Sequence, residues 1–405
     1  MVENKASALT KNKSEKLKIL ILDQGRQALP FLRSFSKAGY QTTVVCNTRL
    51  SEVYFSRYPS KRLLWPSYVK DKPAFEQKLL EYLKENKTDI TISVGDITSD
   101  ILSRNKTEIS RYTKITSPDY PVFLKGADKL KLMQYCMEQG LPCPRTYPLD
   151  DNTITRIPDL LEYPVMIKPT RGVGAIGVIR YNSHDELSGD YESLKEKYGE
   201  MIIQEFIPQE GGMQYQAEAF LDEKSRLKAC LVILKPRFFP VNGGTSTANL
   251  TIDHAEISNT TRTLLEGLKW RGPADVDYIL DPRDGKAKIL EINPRVTAGI
   301  KIGFAAGIDY ADLHVKLALG REIPEKMDYK LGVYCRNFFL DSLWYIYSDR
   351  KMKWNTYPSF YKFFGKDVYD QIFSLDDPLA GLGFFLHMVK KYLNLSNFRA
   401  KFLKK

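Results

Sequence analysis

The chain has 405 residues, of which 43% are hydrophobic, and a formal net charge of +11. This length and composition predict two or three domains with a sizeable core, and they exclude a chain that is disordered throughout. Nine of the eleven net positive charges lie in residues 1–18 and 378–405, so the body of the chain is nearly neutral and nucleic-acid binding is disfavoured.

Cysteine and histidine usage excludes several reaction classes. The five cysteines are an odd number and lack metal spacing, which predicts free thiols in a reducing cytoplasm. The four histidines stand in unrelated contexts and predict neither a zinc site nor a nucleophile–histidine pair. Apolar runs fall short of the roughly 20 residues of a membrane span, and we expect no secretory segment.

The first part of the chain predicts a leader and an α/β domain. Residues 1–16 are polar and lysine-rich and are interpreted as a flexible leader. Residues 17–118 alternate buried-strand patterns at 17–22, 42–46 and 90–94 with an amphipathic stretch that ends at Gly39, which predicts an open parallel βαβ domain. Residues 24–26 and 96–99 follow strand ends and are expected to line a crevice there. The missing GxGxxG spacing disfavours a dinucleotide fold.

A second domain is predicted over residues 119–328, with a lid at about 145–210. A helix begins at Asp128 and Lys129, and prolines end it beyond residue 140. The strand at 164–168 ends in Lys168 and leads into a loop containing Gly172 and Gly174. Glycines let backbone N–H groups approach phosphate oxygens, and a lysine at the strand end supplies a point charge. Taken alone, this loop also fits a plain hairpin.

A strand at 201–208 ends at a proline, which leaves its last backbone groups open to a ligand. The adenine-binding prediction covers Gln204, Glu205, Phe206 and Ile207. Glu205 would accept from the exocyclic amine, the backbone at Ile207 would pair with the ring, and Phe206 would give apolar surface. An ordinary edge strand explains this segment equally well when it is taken alone.

Acidic residues on two strands predict a metal site. Asp275 and Asp277 share one face of the run 274–280, and Glu291 and Asn293 share one face of the run 288–295, since side chains two apart on a strand point the same way. The turn at 281–285 brings the two runs together. Hard oxygen ligands without His or Cys suit Mg²⁺, and Arg295 adds a fixed cation.

The order of these motifs resembles that of the ATP-grasp superfamily over about residues 115–325. The motifs are, in chain order, Asp128-Lys129, Lys168, the glycine loop, residues 204–207, Asp277 and Glu291-x-Asn293-Pro-Arg295. The branch most similar contains carbamoyl-phosphate synthase large subunits and D-aspartate ligases, which join a carboxylate to an amine. The implied architecture is α/β (α+β grasp): an N-terminal open parallel pre-ATP-grasp domain, an ATP-grasp domain with a glycine-loop lid, and a small aromatic-rich C-terminal element.

The resemblance also implies roles for individual residues. Lys129 and Lys168 would contact the ATP phosphates, and Asp277, Glu291 and Asn293 would bind Mg²⁺, for which Mn²⁺ can substitute. Arg295 would stabilise the transferred phosphoryl group. Ribose would be held by Gln214, with Glu210 and Glu218 nearby as alternatives. Arg237, with Lys235, precedes a substrate-side loop at 242–247 and is assigned a catalytic role together with Arg295 and Lys168.

The predicted function is an ADP-forming carboxylate–amine ligase that works through an acyl phosphate, in cell-surface polysaccharide or amino-acid metabolism. A carbamoyl-phosphate-synthase-like kinase of a small carboxylate and a non-catalytic ATP sensor are the alternatives. Electrostatic and positional catalysis explains why no nucleophile pair is present. We expect small carboxylate and amine substrates, no nucleic acid and a cytoplasmic location.

Residues 329–405 shift to aromatic and basic residues and predict a small C-terminal element, whose aromatics also fit simple packing against the domain before it. A helix at 384–392 and the end of the chain mix apolar and basic residues, as interfacial segments do. Peripheral contact of this end with the inner membrane face is a hypothesis.

Overall fold

The structure is a computed structural model, and it describes residues 16–172, 176–208, 213–241 and 243–393. Its first part is a parallel sheet of four strands in the order β3-β2-β1-β4. The strands are β1 (Lys18–Ile21), β2 (Gln41–Cys46), β3 (Lys61–Leu64) and β4 (Ile90–Ile92). The helices are α1 (Ala28–Lys37), α2 (Glu52–Phe55), α3 (Lys72–Glu85), α4 (Asp96–Arg104) and α5 (Lys106–Ile109).

The apolar run of β1 is buried on both faces of this sheet. Ile19 and Ile21 join one core cluster, and Leu20 and Leu22 join another. Burial on both faces is the reason that the run is continuous rather than alternating. The predicted strands and the parallel sheet are confirmed.

The next part is a four-stranded antiparallel sheet in the order β5-β8-β6-β7. Its strands are β5 (Thr146–Leu149), β6 (Val165–Pro169), β7 (Ile179–Tyr181) and β8 (Met201–Glu205). The helices before and within it are α6 (Tyr120–Ala127), α7 (Lys129–Glu138), α8 (Asp151–Ile154), α9 (Ile157–Leu160) and α10 (His184–Tyr198). Leu187, Tyr191 and Leu194 of α10 pack on the sheet.

A seven-stranded sheet in the order β13-β12-β9-β10-β11-β14-β15 completes the fold. Its strands are β9 (Gln214–Leu221), β10 (Leu227–Phe239), β11 (Thr245–Thr251), β12 (Gly272–Leu280), β13 (Ala287–Asn293), β14 (Tyr334–Arg336) and β15 (Val368–Asp370). The helices are α11 (Ala255–Gly267), α12 (Lys301–Ala305), α13 (Tyr310–Ala318), α14 (Phe338–Tyr347), α15 (Arg350–Asn355) and α16 (Pro378–Leu393).

The two faces of this large sheet have different partners. Ala217 and Ala219 of β9 face the cluster that includes α7 and α11, whereas Phe220 faces the cluster that includes α1 and α13. Gln216 and Glu218 therefore share the face of Phe220, because side chains alternate along a strand. Polar residues on this face border the N-terminal part of the chain.

The segment beyond residue 329 contributes to this sheet through β14, which pairs with β11, and β15, which pairs with β14. Its aromatic rings pack against one another, for example Tyr345 on Phe360 with centroids 4.3 Å apart. Of the helices in the described ranges, none combines the length and the apolar character needed to cross a bilayer.

Candidate active site

Three neighbouring strands bring polar side chains together on one face of the seven-stranded sheet. Asp277 of β12 lies opposite Glu291 of β13, and Asp275 lies opposite Asn293. On the other side of β12, strand β9 places Gln216 beside Asp277 and Glu218 beside Asp275. The result is a grid of two rows and three strands, which we call the carboxylate grid: Gln216, Glu218, Asp275, Asp277, Glu291 and Asn293.

The inner row of the grid contains two enclosed carboxylates. Glu218 and Asp275 are 0% and 2% exposed, and Glu218 Oε1 and Asp275 Oδ1 have no hydrogen-bond partner. Burial, followed by repulsion from the adjacent acid, raises the pKa of both groups well above the ordinary value. Unpartnered buried oxygens of this kind indicate a place for a proton or a ligand.

Cations surround the grid and neutralise its acids. Lys129 Nζ lies 3.0 Å from Glu291 Oε2, and Lys235 pairs with Asp277. Burial alone would raise the pKa of Glu291, but Lys129 and Lys168 outweigh it and the net pKa is lowered. Lys129 stands at the start of α7, where its backbone N–H donates to Thr170 O at 2.9 Å, so the helix start is tied to the end of β6.

Arg295 connects the grid to the N-terminal part of the chain. Its Nη1 lies 3.2 Å from Asp275 Oδ2, and its Nε lies 3.0 Å from Asp96 Oδ1 at the start of α4. Its Nη2 also donates to Asn293 Oδ1 at 3.1 Å. Burial disfavours the charge of Arg295, but Asp96 and Asp275 more than compensate and raise its pKa.

Lys168 stands apart from these ion pairs at the end of β6. Its Nζ donates to Gln204 Oε1 at 2.6 Å, and Gln204 Nε2 donates to Thr146 Oγ1 at 2.8 Å. Burial lowers the pKa of Lys168 to about 8, against an opposing effect of Glu291. A half-buried lysine whose partner among the described residues is an amide oxygen can accept an anion without first breaking an ion pair.

The residues predicted to bind adenine lie at the end of β8. The Glu205 carboxylate is engaged, since Oε1 accepts from Arg283 Nη2 at 2.6 Å and Oε2 accepts from the Arg145 backbone N–H at 3.1 Å. The Arg180 guanidinium lies 4.4 Å from the centre of the Phe206 ring, and Ile207 is buried. The roles predicted for these residues, and for Gln204, remain predictions.

Two predicted residues, Gly174 and Glu210, lie outside the described residues. Gly172 is exposed, and a Cβ added there would meet nothing within 4 Å. Gln214 is the first residue of β9 and lies opposite Lys235 of β10. Its predicted contact with ribose stays a prediction.

Arg237 does not fit the catalytic role predicted for it. The residue is 1% exposed, and its Nε and Nη2 donate to Asp341 at 2.7 and 3.0 Å. Nη2 also donates to Tyr334, and Nη1 donates to Thr356 Oγ1 and to a backbone carbonyl of residue 358. All five N–H donors are thus engaged within the protein, and none is left for a substrate.

Neighbouring hydroxyls of the predicted substrate-side loop are engaged as well. Thr247 Oγ1 donates to Asp341 Oδ1 at 2.7 Å, and Ser246 Oγ donates to Asn249 Oδ1 at 2.6 Å. Arg237 and Thr247 therefore hold the C-terminal segment on β10 and β11. The prediction from the sequence is corrected to a structural role for Arg237.

The donor set fits Mg²⁺. Asp277, Glu291 and Asn293 offer hard oxygen atoms at paired strand positions. Over the described ranges, no group of three or more His, Cys, Asp or Glu residues is spaced to hold a metal. The set instead has two carboxylates and one amide, and Mg²⁺ commonly completes such a shell with phosphate oxygens and water.

Sequence reasoning left three parts of the site unassigned: Glu218 as a member of the grid, the pairing of Lys235 with Asp277, and the contact of Asp96 with Arg295. Alternation of Gln214, Gln216 and Glu218 along β9 was the available signal for the first. The other two join positions far apart in the chain, and no local pattern marks them.

Comparison with known proteins agrees with this geometry. Residues 126–299 match a family described as ATP-grasp domain. D-aspartate ligase of Enterococcus faecium is 25% identical over 313 residues, which are 68% of this chain and 70% of that protein. D-alanine–D-alanine ligase of Neisseria meningitidis is 28% identical over 209 residues, which are 47% of this chain and 66% of that protein.

Among solved structures, the fold is similar to the biotin carboxylase domain of Hydrogenobacter thermophilus 2-oxoglutarate carboxylase, solved with MgADP, ADP and bicarbonate. The TM-score is 0.67 at 15% identity, and the match covers 78% of this chain and 73% of that one. The match to the ATP-grasp domain family covers residues 126–299, which is less than half of this chain. The two sequence relatives are ligases by name.

Proposed function

We propose that this enzyme activates a small carboxylate with ATP and joins it to an amine. A carboxylate oxygen attacks the γ-phosphorus of ATP, the bond from that phosphorus to ADP breaks, and an acyl phosphate forms. The amine nitrogen then attacks the acyl carbon, phosphate leaves with the bonding electrons, and the nitrogen loses a proton to solvent. The observation that carries the proposal is the carboxylate grid with Lys129, Lys168 and Arg295 around it.

The residues have distinct proposed tasks. Asp277, Glu291 and Asn293 would hold Mg²⁺, which when bound shields the phosphate charges. Lys129 and Lys168 would contact phosphate oxygens. Arg295, fixed between Asp275 and Asp96, would face the charge that develops on the transferred phosphoryl group.

The same ion pairs explain how the site stays intact before a nucleotide binds. Lys129 neutralises Glu291 and Lys235 neutralises Asp277, so the predicted metal ligands are paired with cations. A magnesium-bound nucleotide offers both a cation for the carboxylates and anions for the lysines. One set of ion pairs is exchanged for another, and no buried charge is left unpaired during the exchange.

Two alternative functions use the same domain. A carbamoyl-phosphate-type kinase would stop at the phosphorylated acid, and an ATP sensor would carry out no transfer. The complete set of Asp277, Glu291, Asn293 and Arg295 supports catalysis over sensing, because nucleotide binding alone does not need a cation beside the transferred group. The kinase would release the acyl phosphate without an amine substrate, whereas the ligase would form an amide, so the final product separates the two.

The test of the proposed metal ligands is Glu291→Gln. We expect steady-state ADP release from MgATP to fall at least about 100-fold, because one hard anionic ligand becomes neutral. Glu256→Gln, an exposed position in the first turn of α11, is the matched control and should keep full turnover. Wild-type turnover in the Glu291 variant would contradict the proposal.

We further propose a cytoplasmic enzyme that touches the inner membrane face through α16. The inner side of α16 packs on α2, and His387 Nδ1 donates to Leu50 O at 2.8 Å. Its outer side carries a stripe of apolar residues that are 36% to 54% exposed: Leu379, Leu382, Phe385, Leu386 and Val389. Residues 378–405 contain six basic residues and no acid, which favours an anionic lipid surface over a second copy of the same chain.

Sedimentation with vesicles tests the membrane contact. The wild-type chain should bind vesicles of phosphatidylglycerol and phosphatidylcholine, and the double change Leu382→Ser, Leu386→Ser should lose most of this binding. Leu64→Ser, at a similarly exposed leucine of β3, is the control. Equal binding by the double variant and the wild type would contradict the proposed surface.

A further inference from the structure

A groove of about 1510 Å³ lies between α1, α12 and the segment beyond residue 329. It is larger than the roughly 300–1,000 Å³ of a typical small-molecule pocket. Among the described residues that line it, none belongs to the carboxylate grid, so the proposed ligase reaction gives it no task. Phe384 of α16 lines this groove and also a smaller pocket of about 360 Å³, which the loops at 23–27 and 95–97 line as the sequence predicts.

Exposed aromatic side chains line the groove. Phe338, Phe373 and Phe385 are exposed, and Phe364 and Leu375 are 92% and 90% exposed. Single exposed apolar residues are common on proteins, whereas a set of them around one groove indicates a surface that binds an apolar group.

The groove is continuous with the apolar stripe of α16. Phe385 belongs to that stripe and lines the groove, and Gly381 of the same helix lines it as well. The stripe is the surface proposed above to touch a membrane. An apolar chain that leaves a bilayer at this place would therefore stay in contact with apolar side chains when it enters the groove.

Basic side chains lie on the α1 side of the groove. Arg33 and Lys37 line it, and they are neighbours on one face of α1 because they are four residues apart. Lys301, at the start of α12, also lines it and is close enough to Arg33 for the two charges to affect each other. We call Arg33, Lys37 and Lys301 the basic cluster.

Lys301 has neutral partners. Its Nζ donates to the Phe373 carbonyl oxygen and to Ser374 Oγ, both at 2.8 Å, and it forms no ion pair with the described residues. An ammonium group has three donors, so one is left. Burial lowers the pKa of Lys301, although the side chain is only half-buried. A bound anion would therefore stabilise its charge.

The acids that line the groove already have partners. Asp370 accepts from three backbone N–H groups at 2.7 to 2.9 Å. Asp309 caps α13 and accepts from Ser34 Oγ at 2.6 Å. Asp376 pairs with Arg33 at 2.9 Å. In the described part of the chain the two lysines of the basic cluster have no such acid, so the groove is suited to an anionic ligand.

We propose that this groove binds a lipid phosphate, a molecule with a long apolar chain and a phosphate-monoester head group. The chain lies along the aromatic side chains, and the phosphate contacts Lys301 and Lys37. A phosphate carries more charge and more acceptor oxygens than a carboxylate, so it can engage two separate ammonium groups. Residues 394–405 are poorly suited to fill the groove, since they contain four basic residues and no acid. This inference extends the proposed membrane contact of α16 and does not depend on the ligase reaction.

The test is calorimetric titration of the full chain with decyl phosphate below its critical micelle concentration. We expect saturable binding of one molecule per chain. Ethyl phosphate, which keeps the head group but lacks the chain, should bind at least about 100-fold more weakly. Decyltrimethylammonium, which keeps the chain but reverses the charge, should bind about tenfold more weakly or worse.

Variants separate the head-group contact from the contact with the chain. Lys301→Met should weaken decyl phosphate binding about tenfold and leave decyltrimethylammonium binding unchanged, whereas Lys301→Arg should keep most of the affinity. Ser342→Trp, on the α14 side of the groove, fills part of it and should weaken binding of both ligands. Lys351→Met, at an exposed position of α15 outside the groove, is the control and should bind as the wild type does. Urea unfolding shows that each variant is folded.

Wild-type affinity of Lys301→Met for decyl phosphate would overturn the assignment, and so would equal binding of decyl phosphate and decyltrimethylammonium or no binding by the wild type. Binding that appears only after residues 394–405 are deleted would also overturn it, because the end of the chain would then be the occupant. MgATP turnover is measured separately, so these outcomes leave the ligase function standing. Since decyl phosphate is monomeric here, its binding is also distinct from the vesicle binding that tests α16.

Discussion

Lys168 provides a test of nucleotide binding that depends on pH. Burial lowers its pKa to about 8, so it is charged in roughly 90% of molecules at pH 7 and in roughly 10% at pH 9. If the ammonium group must be charged to hold a phosphate, the dissociation constant of MgADP should rise by about tenfold over this interval. Calorimetric titration of the wild type at pH 7, 8 and 9 measures the change.

Lys168→Met removes the titrating group. This variant should bind MgADP weakly at pH 7 and show little further change up to pH 9. Lys197→Met, at an exposed position of α10, should follow the wild-type profile. A wild-type affinity that stays constant from pH 7 to 9, or a Lys168→Met variant with wild-type affinity, would refute the reasoning.

The lowered pKa of Lys168 also predicts how the stability of the protein changes with pH. The unfolded chain keeps the Lys168 proton up to the ordinary pKa of 10.5, whereas the folded chain releases it near 8. The unfolded state therefore binds more protons between these values, and this group's contribution to the free energy of unfolding rises with pH in that window. Below about pH 8, the buried charge lowers stability by a constant amount.

Two further predictions concern the scaffold and are measured by urea unfolding. Gly272 has φ +78°, and a Cβ there would lie 2.1 Å from the Thr116 carbonyl oxygen, so Gly272→Ala should cost about 3 kcal/mol or more. Gly285→Ala, with φ +71° but no atom within 4 Å, should cost only about 1–2 kcal/mol, and equal losses would contradict the steric argument. Asp341→Ala leaves the buried Arg237 guanidinium without its carboxylate and should cost about 3–5 kcal/mol. A loss below about 1 kcal/mol would show that Arg237 is satisfied without Asp341.

Local alternation made much of the site predictable. Glu291 and Asn293 share a strand face with a period of two residues, and the short turn after β12 leaves little choice of partner, so Asp277 opposite Glu291 followed from the sequence. The run of apolar residues before Lys168 was enough to predict that this lysine stands at the end of a strand. Patterns that depend on one strand or one hairpin were therefore reliable.

Long-range arrangements were not predictable in the same way. Strand β9 lies between β10 and β12, and only that order places Glu218 beside Asp275. The misassignment of Arg237 has the same origin, because its partner Asp341 lies 104 residues further along the chain. In the sequence, Arg237 lies two positions from Lys235 and is therefore predicted to be another cation of the site. In the structure, hydrogen-bond acceptors surround its guanidinium group. The domain boundaries at about 118 and 328 stay predictions.

The central claim is an acyl-phosphate intermediate, and hydroxylamine trapping tests it most directly. Purified full-length chain is incubated with MgATP, hydroxylamine and single amino acids or other small acids, and hydroxamate and ADP are measured together. We predict hydroxamate that requires one particular acid, appears in step with ADP and is absent from the Glu291→Gln variant. ADP release without hydroxamate from any acid, or ATP binding with no stimulation by an acid, would contradict the account.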